Sequence, residues 1–209
     1  MSPTASARSV EHRLRWGAVL LGVRMAYVPL ELAVVARATG SPRLRHDTVS
    51  DFGAVGCLPE LCSPWHAVLN GSFVVIGALL AAGALLLAPR LGRLATGVLV
   101  VAGLSSIATG FFPIDRDPLA HGLAAAPLFV AQPLALLLLT RLLWPLHRPT
   151  AGVVGVTGVV TTVAAVAFLA ADTDAGLYER IALWPIPYVL ALVGIVLARG
   201  GQRRMSAPA

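Results

Sequence analysis

His46, His66 and His121, with Asp51, Asp115 and Asp117, are the residues of this chain best suited to moving a proton. An imidazole titrates near neutrality and a carboxylate a few units lower, so together they supply the usual acid and base. His66 and Asn70 stand four residues apart, as do Asp117 and His121, which puts each pair on one face of a helix. Asp51, His66, Asp115 and His121 are therefore the candidate catalytic residues, expected to meet at one end of the fold with Asn70 just beneath. The same imidazoles and carboxylates are ligands that a divalent metal accepts. No H-E-x-x-H or comparably dense motif is present, however, so capped helix ends and hydrogen-bonded polar residues account for them as well, and no cofactor follows.

Glu31 poses a different question, because it lies inside an apolar run. At 1.5 Å per residue it sits roughly 10 Å below the end of that run, where an ionised group needs a partner or a wet cavity. It should face other helices, as a binding or proton-linked group. Arg24, seven residues earlier, is too far away for a direct pair and can reach back toward the nearer surface instead. Ser105, Ser106 and Thr109 add polarity before the Phe111-Phe112-Pro113 stretch, and Gln132 is isolated. Cys57 and Cys62 fall in one loop, where a disulfide would close a small ring around Pro59 and Glu60. Gly152, Gly155 and Gly158 suit close helix packing better than phosphate binding, since no strand or lysine accompanies them.

The elements that must position these residues are membrane helices. Of 209 residues, 57% are hydrophobic and only 12% charged; the mean hydropathy is +0.80, outside the range of soluble domains. Apolar runs of crossing length occupy residues 17–38, 66–88, 95–113, 119–140, 150–171 and 179–198. The expected fold is an all-α, polytopic transmembrane bundle of about six helices, with one membrane domain over residues 17–198. Residues 1–16 form a short N-terminal segment and 199–209 a tail. The connection 39–65 is long, and its Gly, Pro, Ser and Asp content predicts an ordered or re-entrant loop. Pro185 and Pro187 should bend the last helix near Trp184.

Orientation follows from the arginines, of which there are sixteen with no lysine. If both termini are cytoplasmic, ten lie inside (Arg8, Arg13, Arg15, Arg90, Arg93, Arg141, Arg148, Arg199, Arg203 and Arg204) and five outside, with Arg24 in the first span. That asymmetry satisfies the positive-inside rule. The protein is thus expected in the cell membrane as a multi-pass chain, its long loop and its polar residues on the outer side. Arg24, Pro29 and Glu31 interrupt the first span, which favours a retained helix over a cleaved signal. The net charge of +6 is dispersed over helix ends, which points to membrane lipids as partners and not to nucleic acid.

Val49-Ser50-Asp51-Phe52-Gly53, then Pro59-Glu60, then Asn70, resembles the Ser-Asp-x-Gly, Pro-Glu and helix-borne Asn pattern of the DRAM, Frag and Sfk membrane proteins. It is more similar still to the bacterial membrane family called domain of unknown function 998. Gly110-Phe111-Phe112-Pro113-Ile114-Asp115, His121-Gly122 and the Glu179-Arg180 pair resemble that family's other recurring segments. The resemblance implies a six-helix membrane protein without an established common activity; some eukaryotic relatives are linked to lipid remodelling or autophagy. Glu31, Ser50, Asn70, Asp117, Glu179 and Arg180 become the candidate binding residues. Gly56-Cys57-Leu58 departs from the spacing of the DRAM pattern.

Three functions fit these readings. A membrane enzyme would act on a lipid or isoprenoid-like substrate with the four catalytic candidates. A transporter or receptor would bind a small molecule in an outward cavity. An accessory membrane protein would use the polar cluster only to hold the loop against the bundle. A hydrophobic small molecule is the substrate or ligand in the first two.

Overall fold

In hydrocarbon a backbone must satisfy its hydrogen bonds within its own segment, so long apolar runs fold as helices. The computed structural model of the chain describes residues 5–171 and 173–205, and it is all-α apart from one short ribbon. Asp172 and the end of the tail, 206–209, lie outside the described residues. Helix α1 (Ala5–Val23) passes through a tight 3-10 turn at Arg24–Ala26 into α2 (Tyr27–Val35). Pro29 lacks the N–H that would bond the carbonyl four residues back, which explains the tightening just before it. There follow α3 (His66–Phe111), α4 (Pro118–Leu143), α5 (Arg148–Leu169), α6 (Ala175–Leu183) and α7 (Pro185–Met205). Strands β1 (Thr39–Gly40) and β2 (Leu61–Cys62) pair antiparallel and close the long loop at its base.

Among the described residues five helical stretches are long and apolar enough to cross a membrane: Arg8–Val35, His66–Phe111, Pro118–Leu143, Arg148–Leu169 and Ala175–Arg199. The chain is a multi-pass membrane bundle. A straight helix over the 46 residues of α3 would reach about 70 Å, more than twice the hydrocarbon thickness. It is not straight. Gly92 has φ 76° and ψ 167°, a backbone that L side chains rarely adopt, and Pro89 has already removed one helical donor. The chain reverses there into two antiparallel arms, 66–91 and 93–111. A Cβ on Gly77 would stand 2.5 Å from the Gly103 carbonyl oxygen and one on Gly103 2.6 Å from that of Gly77, so only glycines let the arms approach this closely. Ser106 Oγ donates to Phe73 O across the same seam at 2.8 Å.

Helix ends carry the expected chemistry. Asp117 caps α4 by accepting from Ala120 N at 2.9 Å, with Pro118 in the first turn, and His147 caps α5 through Thr150 N. The helices start and stop within a few residues of the apolar runs, with two differences. Helix α1 begins at Ala5 and α7 continues to Met205, so both helices extend beyond the apolar runs 17–38 and 179–198. The last segment begins at Ala175 rather than 179, and the chain divides at Trp184, where Pro185 and Pro187 follow.

The succession of helices collects the connections at two ends. One end, the loop end, holds residues 36–65, 112–117, 170–171 and 173–174; the other holds the Gly92 turn and residues 144–147. Helix α7 packs on α1, α1 on α3, α3 on α4, α4 on α5 and α5 on α6. Away from the loop end the core is aliphatic, built from Leu14, Leu21, Leu80, Leu87, Leu99, Leu139 and Ile186 among others. Toward the loop end a second cluster joins Tyr27, Val34, Val49, Phe52, Leu69 and Phe73, so loop residues are themselves part of the core.

Candidate functional site

Residues 43–53 lie over the bundle because α6 binds their carbonyls. Gly176 N donates to His46 O and Leu177 N to Arg45 O, which satisfies two donors at the start of α6 that no helix turn can use. A Cβ on Gly176 would collide with the carbonyls of Asp47 and Leu44, so only glycine permits this approach. One turn later Arg180 points into the same loop, its Nη1 facing the carbonyl oxygens of Leu44, Asp47 and Gly176 at 2.7, 2.7 and 3.0 Å. Its Nε donates to Glu31 Oε1 at 3.0 Å, and Trp184 Nε1 donates to Glu31 Oε2 at 2.8 Å. The guanidinium lies 5.6 Å from the Phe52 ring centre and 5.9 Å from that of Trp184. Glu31 is 0% and Arg180 4% exposed, so this is a buried ion pair between the first and last crossings, and the loop contributes its remaining partners.

Glu179 turns the other way, toward Val49 and Ser50. Its Oε2 accepts from Val49 N, and Ser50 Oγ donates to its Oε1 at 3.3 Å. Ser50 Oγ also lies 3.0 Å from His121 Nε2, while His121 Nδ1 lies 2.6 Å from Phe112 O. A carbonyl can only accept, so the proton of a neutral His121 sits on Nδ1 and its Nε2 is an acceptor, but Ser50 Oγ has one proton and gives none to Nε2 while it donates to Glu179. Ser50 Oγ thus lies within reach of Glu179 from α6 and of His121 from α4, and its one proton serves either of them. With His121 it is a serine beside a base whose tautomer is fixed, the pairing that can activate a hydroxyl.

Asp51, His66, Asp115 and His121, the four candidates, each take separate hydrogen-bond partners. Among the described residues no hydrogen bond links any two of these four. Asp51 accepts from Thr48 N at 2.7 Å while Thr48 Oγ1 accepts from Asp51 N at 3.0 Å, a reciprocal cap that uses both side chains locally. His66 Nδ1 lies 2.9 Å from Ser63 O, within its own helix start. Asp115 accepts from Val55 N and Gly56 N, both at 2.9 Å, and so ties the loop to the connection before α4. Burial works to raise the Asp115 carboxyl, but those backbone donors outweigh it and hold it below the usual range. Asn70 Nδ2 donates to Gly53 O, again fastening the loop, and Asp117 is spent on its cap. Cys57 and Cys62 are joined by a disulfide. At the rim Arg45 binds Asp174 through two bonds, of 2.6 and 2.9 Å, which lower the Asp174 carboxyl. His46 Nδ1 lies 2.5 Å from Thr173 O. Among the described residues no group of three or more His, Cys, Asp or Glu is placed to hold a metal ion.

Beside Arg180 an apolar groove of about 520 Å³ runs between the loop and α6, lined by Leu44, Arg45, Leu177, Ile181, Trp184 and Pro185. Sequence reasoning did not single out Trp184 as a partner of Glu31, nor Thr48, whose T-x-x-D spacing with Asp51 was the available signal. Val49 takes part through its backbone, which no residue type announces.

The family described as "Protein of unknown function (DUF998)" has a model that matches residues 20–196, and the chain belongs to that family. No curated protein and no solved structure matches the chain.

Proposed function

We propose that the protein binds an anionic amphiphile, a lipid or lipid-like molecule, in the groove between the long loop and α6. The observation that carries this is the groove itself: its volume of about 520 Å³ is that of a small-molecule site, its walls are apolar, and Arg45, exposed at its rim beside Asp174, is the cation an anionic headgroup can reach. In this reading the buried Glu31–Arg180 pair and the contacts of Ser50 with Glu179 and His121 hold the loop that forms one wall. The arginine-rich end, carrying Arg90, Arg93, Arg141 and Arg148, faces the cytoplasm, which puts the groove on the outer side of the cell membrane. Purified protein in neutral detergent should bind phosphatidylglycerol in preference to phosphatidylcholine, read by native mass spectrometry. Ile181→Trp, which fills the groove, should abolish that preference. Undiminished binding by the variant would overturn the reading.

A second reading is favoured by one specific contact, the 3.0 Å approach of Ser50 Oγ to His121 Nε2. On that reading the protein is an enzyme on the same lipid class, with Ser50 as nucleophile and His121 as base. Ser50→Ala separates the two. Loss of turnover with lipid binding intact supports the enzyme, whereas an effect on thermal stability alone supports the binding protein.

A further inference from the structure

Arg24 is the one buried cation, among the described residues, that has no carboxylate. It is 2% exposed in the turn between α1 and α2, its Nε donates to Ile76 O at 3.1 Å, and its Nη1 is buried without a partner. Arginine does not lose its proton in a protein, so the charge must be met in some other way. Neither nearby acid meets it. Glu31 is engaged by Arg180 and Trp184, and Glu179 by Val49 and Ser50.

Arg24 borders a small cavity of about 20 Å³ inside the bundle, which Tyr27, Ser106, Gln132, Phe73 and Leu128 also line. The Tyr27 hydroxyl is buried beside the Glu31 carboxylate, and Gln132, 5% exposed, makes no hydrogen bond to a described residue. Ser106 is already committed to Phe73 O. The groups left for an occupant are therefore a guanidinium N–H and a carboxamide, and no acidic side chain lines the space. Unpaired buried donors are costly, and the cavity is large enough for one water or a monatomic ion slightly larger. Water would satisfy the donors but leave the charge uncompensated.

We propose that this cavity binds a single halide-sized anion, held by Arg24 with Gln132. The site is separate from the groove at the loop end, so it stands or falls independently of the function proposed above. The test uses the full chain in detergent at constant ionic strength, with gluconate replaced stepwise by chloride or bromide. The thermal midpoint should rise and saturate with halide, because a ligand that binds only the folded state stabilises it by mass action. Gln132→Leu, which keeps the charge and the fold, should move the half-saturating concentration up by about tenfold, the worth of one hydrogen bond to an ion. Arg24→Gln should remove the halide dependence. Bromide should appear in the cavity by anomalous diffraction. A midpoint indifferent to halide, a Gln132→Leu response like that of the parent, or a cavity holding water alone would each overturn the proposal.

Discussion

Arg180 shows how much one side chain can decide, because it binds Glu31 from the first crossing and three carbonyls in and around the loop at once. Removing one member of such a pair leaves the other charged and buried. Glu31→Leu or Arg180→Leu alone should therefore destabilise the protein by about 3 to 5 kcal/mol, while the double replacement should cost well under the sum. Thermal unfolding of the three variants checks this, and additive losses would show that the pair is not coupled. Asp115 gives a prediction about pH. Its folded carboxyl titrates below the ordinary value, so its contribution is full above about pH 4 and is lost as the pH falls through the depressed folded value. Hydrogen exchange at the Val55 and Gly56 amides should be slow above that range and rise below it. In Asp115→Asn these amides should exchange faster even at neutral pH.

The long loop behaves as an element of the core and not as a cover laid over it. Val49 and Phe52 are fully buried, the ribbon closes its base, and Asn70 of α3, Asp115 of the connection before α4, and Glu179 and Arg180 of α6 fasten it. Gly176→Ala should displace residues 44–47, since the new Cβ would meet their carbonyls. The expected result is a lower thermal midpoint together with weaker lipid retention at the groove. Retained affinity with only a stability loss would separate the loop from the groove. The Cys57–Cys62 bond closes a further small ring within the loop. Intact mass without reduction should show both cysteines oxidised, and two quantitatively alkylated thiols in the folded protein would contradict that.

At the scale of the whole molecule, polarity is distributed unevenly between the two ends. The connections at the loop end carry Asp47, Asp51, Glu60, Asp115, Asp117 and Asp174, whereas the Gly92 turn and the 144–147 connection carry no acid and are flanked by arginines. Under the orientation proposed from the positive-inside rule, the loop end lies outside. A cysteine introduced at Arg116 should react with an impermeant reagent applied externally, and one at Leu146 only after the cytoplasmic face is opened. The reverse pattern would invert the topology and put the groove in the inner leaflet.

How much of this was legible in the sequence depends on the range of the interaction. Apolar runs long enough to cross a bilayer, the bend at Pro185 and Pro187, and the arginine asymmetry are local or compositional, so composition and spacing determined a helical membrane bundle, with most helix ends within a few residues but α1 starting twelve residues earlier than its apolar run. The reversal at Gly92 was anticipated as a gap between two apolar runs for the same reason. Partner choice was not local. Asp51 and His66 have the right chemistry but spend it within three residues of themselves, because a nearby backbone group is reached at less entropic cost than a distant side chain. Glu31 with Arg180, and Ser50 with His121, lie 149 and 71 residues apart. Only the packing of the first, fourth and last crossings around the loop brings them together, so the tertiary structure alone decided which polar residues form the site.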